Sequence, residues 1–170
     1  PAAENGFFGY AKSSQQVTGL HQRARSRAYI MESSESNKRV VFVSTDLGAM
    51  SQGIKIEVVK KLNALYGNTY SHDNVMLTAT HTHVGSGGFS HYSLYELASA
   101  DWTGLTGGYS SENFNAIVNG VVASIQRAHN NLAPGSLELV QGELDGATKN
   151  RSVAAYDAND DAGSFTKNTN

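Results

Sequence analysis

The chain has no cysteine, two prolines, a single tryptophan and few charges, with Asp, Glu, Lys and Arg making up 16% of 170 residues. Without cysteine there is no disulfide frame and no thiolate metal site. Any bound metal must then be held by His, Asp, Glu or Tyr. The apolar runs are far too short to cross a bilayer, which removes a membrane span. The net charge of -2 carries no dense basic patch, and Arg23, Arg25 and Arg27 alternate as on an extended segment. No nucleic-acid footprint follows. The chain opens at Pro1 without a signal-peptide pattern and reads as having lost a preceding segment.

Hydrophobic residues are present at 39%, enough for a globular domain of this length to bury roughly two thirds of its unfolded surface. Two β-branched and aromatic runs, 25–31 and 39–45, flank the polar ESSESNK and predict paired strands. In SQGIKIEVVKKLNALYG the residues Ile54, Val58, Leu62 and Leu65 form one helical stripe that Gly67 stops. NVMLTATH predicts a buried strand. A second helix carries Phe114, Ile117, Val118, Val121, Ile125 and Ala128 on one face, with Ser110 or Ser111 as cap. SLELVQGEL predicts a further strand.

Alternation of strand and helix gives an α/β class, a mainly parallel or mixed sheet with crossover helices. The polar end DANDDAGSFTKNTN lacks periodicity. It divides the chain into a body, residues 1–156, and a loosely ordered tail, 157–170.

The chemistry concentrates in TATHTHVGSGG, residues 78–88. Side chains two apart on a strand share a face, so His81 and His83 are expected to project together from the carboxyl end of a sheet strand. Ligands of open α/β sheets gather there, and Gly85, Gly87 and Gly88 would let backbone approach them. Imidazole nitrogen suits zinc, but a catalytic zinc ordinarily takes three protein ligands. A hydrogen-bonded pair of polar strand ends is the other reading.

Asp46, in STDLG, is expected either to be a helix-entry cap or turn residue or to orient a histidine. It is also a third donor in an arrangement of zinc on His81, His83 and Asp46. His91 and Tyr92 either line a pocket or lie on the surface. His21, His72 and His129 sit in polar company and are expected to do no chemistry.

Taken in order, GYA, GLHQRARSRAYI, VFVSTDLGAMSQGIK, NVMLTATHTHVGSGGFSHY, RAHNNLAPG and KNRS resemble the amino-terminal part of the neutral ceramidase family over residues 6–152. The resemblance implies an incomplete piece of a larger catalytic domain. It implies a secreted or membrane-associated zinc amidohydrolase that splits ceramide into sphingosine and a fatty acid. By resemblance, His81 is a zinc ligand, His83 positions substrate or water, and Arg151 lines the site. Arg151 taken alone reads as a surface ion pair, beside a formal glycosylation acceptor at Asn150.

This chain departs from the family's THTHSGPGG at Val84 and Ser86, losing a proline's restriction of the loop. Its segment from Trp102 to Gly108 is longer than in most relatives. The second zinc histidine, a glutamate, a tyrosine and a serine nucleophile of the family all lie beyond the stretch that the resemblance covers. The resemblance therefore implies that the remainder of the catalytic domain is a required partner and that the chain alone is inactive. A non-catalytic lipid-binding or interaction module, with Phe89, Tyr92, Tyr95 and Trp102 contacting an apolar partner, is the alternative.

Overall fold

A computed structural model describes residues 5–9, 15–92, 108–144, 146–147 and 152–163. The chain divides into two units, Pro1–Ala133 and Pro134–Asn170.

In the first unit, strands β1 (Ser26–Glu32) and β2 (Arg39–Thr45) pair antiparallel, Ser26 opposite Thr45 and Glu32 opposite Arg39. The polar loop between them closes through Ser33 N–H to the Lys38 carbonyl at 3.0 Å. Asn37 takes a left-handed φ of 54°, which asparagine tolerates through local side-chain bonding. Strand β3 (Val75–Ala79) pairs parallel with β2, in the order β1-β2-β3. The sheet is therefore mixed, as the strand and helix pattern allows.

Helix α1 (Gln52–Tyr66) makes the crossover between β2 and β3. The Ser51 hydroxyl accepts the Ile54 N–H and caps its start, while Gly67, at φ 59°, ends it. Helix α2 (Ser111–Asn130) starts on the Ser110 hydroxyl, which accepts the Asn113 N–H. It places Glu112 in its first turn and Arg127 in its last, each sign complementing the helix dipole.

Alternation sends Val41, Val43, Val75 and Leu77 to the face that carries the helices, where they pack with Ile54, Val58, Leu62, Phe114, Val118, Val121 and Ile125. Far from the strands' carboxyl ends, Tyr70 and Arg39 both direct donors at His129 Nδ1, at 2.6 and 3.1 Å. A guanidinium only donates, so Nδ1 is the bare nitrogen and the Tyr70 hydroxyl donates as well. Tyr66 stacks on the ring, with centroids 4.1 Å apart. Burial raises the Tyr70 phenol above its ordinary pKa. His129 is thus a structural clamp on the end of α2.

In the second unit the expected strand SLELVQGEL pairs with nothing among the described residues, and Leu137, Leu139, Val140 and Leu144 are exposed. A strand needs a ladder partner to satisfy its backbone, whatever its side-chain pattern. A short helix α3 (Val153–Asp157) follows. Among the described residues no helix is long and apolar enough to cross a membrane.

Candidate metal centre

Because β2 and β3 run parallel and end together at Thr45 and Ala79, their carboxyl ends open onto one crevice. Thr80 N–H still donates to the Thr45 carbonyl at 2.9 Å. Beyond it the strand stops, and His81 takes a left-handed φ of 63°. That conformation costs a non-glycine residue of order 1–2 kcal/mol and is held by its surroundings.

The two imidazoles meet all the same. His83 Nε2 lies 3.2 Å from His81 Nε2, with ring centroids 4.7 Å apart and planes at 79°. Strand alternation was the expected cause of this meeting, but the observed cause is the bend at His81.

His81 Nδ1 lies 2.7 Å from the Gly48 carbonyl. A carbonyl only accepts, so Nδ1 carries the proton and Nε2 is the bare nitrogen. The contact at 3.2 Å then runs from His83 Nε2–H to His81 Nε2. An imidazole whose second nitrogen donates to a backbone carbonyl is the usual state of a metal ligand. Two nitrogens bound to one tetrahedral zinc at about 2.0–2.1 Å stand roughly 3.3 Å apart, so the pair fits half of a zinc site. The other half is not present among the described residues, where no three His, Asp or Glu gather.

Asp46 does not join. Its carboxylate accepts from Arg27 Nη1 at 2.7 Å, Arg27 Nη2 at 3.3 Å and Arg25 N–H at 2.9 Å. Chiefly the Arg27 hydrogen bond holds its carboxyl below the usual range. Ser51, not Asp46, caps the helix, and Asp46 is instead the turn residue in the bend after β2, tying the end of β2 to β1. The arrangement of zinc on His81, His83 and Asp46 is therefore not assembled. Arg151 lies outside the described residues.

Missing from the sequence reading was the segment Gly6–Gly9, which straps across the glycine loop. Phe8 N–H donates to the Gly85 carbonyl at 3.2 Å, and Gly87 N–H to the Gly6 carbonyl at 2.8 Å. The loop is pinned from the other side by Asn113 Nδ2 on the Gly87 carbonyl at 2.7 Å and Ser110 N–H on the Gly88 carbonyl at 2.7 Å. Its glycines thus serve backbone docking more than ligand approach.

Phe8 leans on Phe89, with centroids 5.5 Å apart, and on Gly48, where a β-carbon would fall 2.3 Å from Phe8 Cδ1. Gly9, at φ 90°, lies against the His83 ring, where a β-carbon would fall 3.0 Å from Nε2. The motif GYA held the signal, but only as part of the resemblance.

His91 is exposed and contacts Tyr109 and Phe114, and the Tyr92 hydroxyl donates to Gln52 Oε1 at 2.7 Å. Phe89 is core. Tyr95 and Trp102 lie outside the described residues. The aromatic platform of a lipid-binding module therefore loses Phe89.

Residues 1–169 match the family described as neutral/alkaline non-lysosomal ceramidase, N-terminal. The neutral ceramidase of Pseudomonas aeruginosa is 44% identical over 160 residues, covering 94% of this chain and 23% of that protein. That of Mycobacterium tuberculosis is 42% identical over 160 residues, covering 93% and 24%. The Pseudomonas crystal structure superposes with a TM-score of 0.82, and a ceramidase complexed with C2 with 0.83 at 43% identity, covering 96% of this chain and 24% of that one. The chain spans about a quarter of the length of these relatives. With its whole length matched and its fold shared, the chain belongs to the neutral/alkaline non-lysosomal ceramidase family.

Proposed function

We infer that this chain is the front portion of a zinc-dependent amidase that hydrolyses the N-acyl bond of ceramide. The amide C–N bond breaks, the acyl carbon takes hydroxyl from water, and the nitrogen leaves protonated as the amine of sphingosine. The observation that carries the reading is the protonated Nδ1 of His81 on the Gly48 carbonyl. It leaves Nε2 free to be a metal donor.

When bound, zinc supplies Lewis-acid polarisation of the carbonyl and a water of lowered pKa. The chain's own residues do the rest. His81 anchors the site to the β2–α1 loop. His83 holds a proton on Nε2 that points at His81 Nε2, and once that nitrogen is engaged elsewhere the proton is available to a substrate or water oxygen. Arg151 steadies negative charge developing on the carbonyl oxygen. The remaining donors and the nucleophile come from the rest of a family-length chain, so this chain alone is inactive. Action on a membrane lipid accords with a secreted, membrane-associated enzyme.

The test is a ceramide turnover assay and zinc analysis on this chain continued by the part of the Pseudomonas relative that follows its matched 160 residues. Turnover is expected in the continued chain and absent from the chain alone. His81→Ala should remove both zinc and turnover, whereas His83→Ala should spare most zinc and lose turnover. Zinc retained at full stoichiometry after His81→Ala would end the reading.

A further inference from the structure

The sheet has a second face, and among the described residues nothing in the first unit's core packs on it. The register places Tyr29, Phe42 and Met76 side by side across all three strands, with Met31 opposite Val40 beside them. These side chains alternate with the ones under the helices. Tyr29 is 57% exposed, Met76 56%, Val40 49% and Met31 39%, and the Tyr29 and Phe42 rings lie 6.4 Å apart. Four exposed large apolar residues on one side of three adjacent strands make a contiguous patch, of the kind that marks an interaction surface.

We propose that this face, built on Tyr29, Met31, Val40, Phe42 and Met76, is the docking surface for a second apolar layer supplied by the remaining three quarters of a family-length chain. It rests on the functional reading above only in taking that longer chain as the working enzyme. Three observations choose this occupant. The parallel β2–β3 pair with its crossover helix is the unit of α/β sheets covered on both faces, in which an antiparallel edge strand such as β1 also occurs. The relatives share this fold as 24% of a much longer chain, so they contain the material for a further layer.

The third observation is the rim. The two cations on the strands themselves are paired, Arg27 to Asp46 and Arg39 to Glu32, so the strands carry no basic cluster of the kind that draws a surface to anionic lipid. A membrane and a second copy of the chain are then outcomes that the test must separate.

The sequence has no cysteine, so single thiols can report coverage. Met76→Cys is placed in the chain alone and in the chain continued by the rest of the Pseudomonas relative, and maleimide labelling is read at that peptide by mass spectrometry. Lys60→Cys on the exposed side of α1 is the open control. Val43→Cys, buried under the helices, reports that the fold is intact.

Expected is fast labelling of Met76→Cys in the chain alone and at least tenfold slower labelling in the continued chain, with Lys60→Cys equally reactive in both. Equal reactivity of Met76→Cys in the two, with Val43→Cys protected, overturns the proposal. Protection in the chain alone that grows with concentration, or that needs lipid vesicles, also overturns it, in favour of a second copy or a membrane. If Val43→Cys labels in the continued chain, Tyr29→Glu and Met76→Glu are compared in co-expression with the separate remainder: loss of co-purification in both supports the proposal, and undiminished co-purification or none with the unsubstituted chain overturns it. The two readings fail separately. Protection without ceramide turnover sinks the function and keeps the surface, and turnover with an open Met76→Cys does the reverse.

Discussion

Gly9→Ala tests the link between the amino-terminal strap and the histidine pair. The substitution does two things. It places a side chain at φ 90°, which costs roughly 1–2 kcal/mol for a residue other than glycine. It also drives a β-carbon to 3.0–3.2 Å from three atoms of the His83 ring, tight enough that the ring must yield by a few tenths of an ångström.

Since His83 Nε2 already stands 3.2 Å from its partner, a retreat of that size takes it to the limit of hydrogen bonding. Destabilisation of about 1–2 kcal/mol corresponds to a fall in Tm of roughly 2–8 °C for a chain of this length. Thermal melting by circular dichroism reads the first effect, and nitrogen-15 NMR of the imidazoles, through the loss of the shared proton, reads the second. Gly19→Ala is the control, because no atom lies within 4 Å of its β-carbon position. An unchanged Tm together with an unperturbed His81–His83 pair in Gly9→Ala would refute the reasoning.

Asp46→Asn should lower stability at neutral pH by about 0.5–1 kcal/mol, the modest figure suited to a pair with solvent access. Arg27 depresses the folded carboxyl's pKa, so the Asp46 contribution is present above the unfolded carboxyl's value and is lost as pH falls through the folded one. The gap in Tm between the two proteins should therefore close in acid, and a gap independent of pH would contradict the assignment. Tyr70→Phe should cost about 1 kcal/mol for the hydrogen bond to His129, measured by urea unfolding. No change would mean that Arg39 alone satisfies the ring. Ile125→Ala, fully buried, should cost roughly 2–5 kcal/mol, whereas Leu139→Ala, 99% exposed, should stay within about 0.5 kcal/mol. Equal losses from the two would show that Leu139 packs in the chain alone.

The elements legible in the sequence are the ones whose partners are near in the chain. The hairpin announces itself through ESSESNK between two β-rich runs, and α1 through Ile54, Val58 and Leu62 closed by Gly67. The cap at Ser110 was readable for the same reason. Local chemistry decides each of them.

Non-local contacts were opaque. Nothing in PAAENGFFGY says that Phe8 will lie across a loop nearly 80 positions on, because two backbone hydrogen bonds, Phe8 N–H to the Gly85 carbonyl and Gly87 N–H to the Gly6 carbonyl, leave no period. Asp46 was assigned by its neighbours in sequence, while its true partner, Arg27, stands on the adjacent strand. The His-x-His spacing pointed to the right pair by a wrong route, since the left-handed turn at His81 brings the rings together after the strand has ended.

SLELVQGEL shows the converse limit. Alternation in a sequence records that a segment is shaped for one buried face, and it is silent on where the covering surface lies. In β1 and β2 that surface is α2, from the same chain. On the opposite side of the same strands, Tyr29, Val40 and Met76 are as apolar as the residues under the helices and yet exposed. A sheet with two apolar faces and, among the described residues, helices on only one is shaped for a covering layer beyond those residues. By the same logic a histidine whose Nε2 is set as a metal donor calls for further donors that the described residues do not gather around it. Under the two proposals both features have the same physical reason, a chain of the family's length that would bring the covering layer and the further donors.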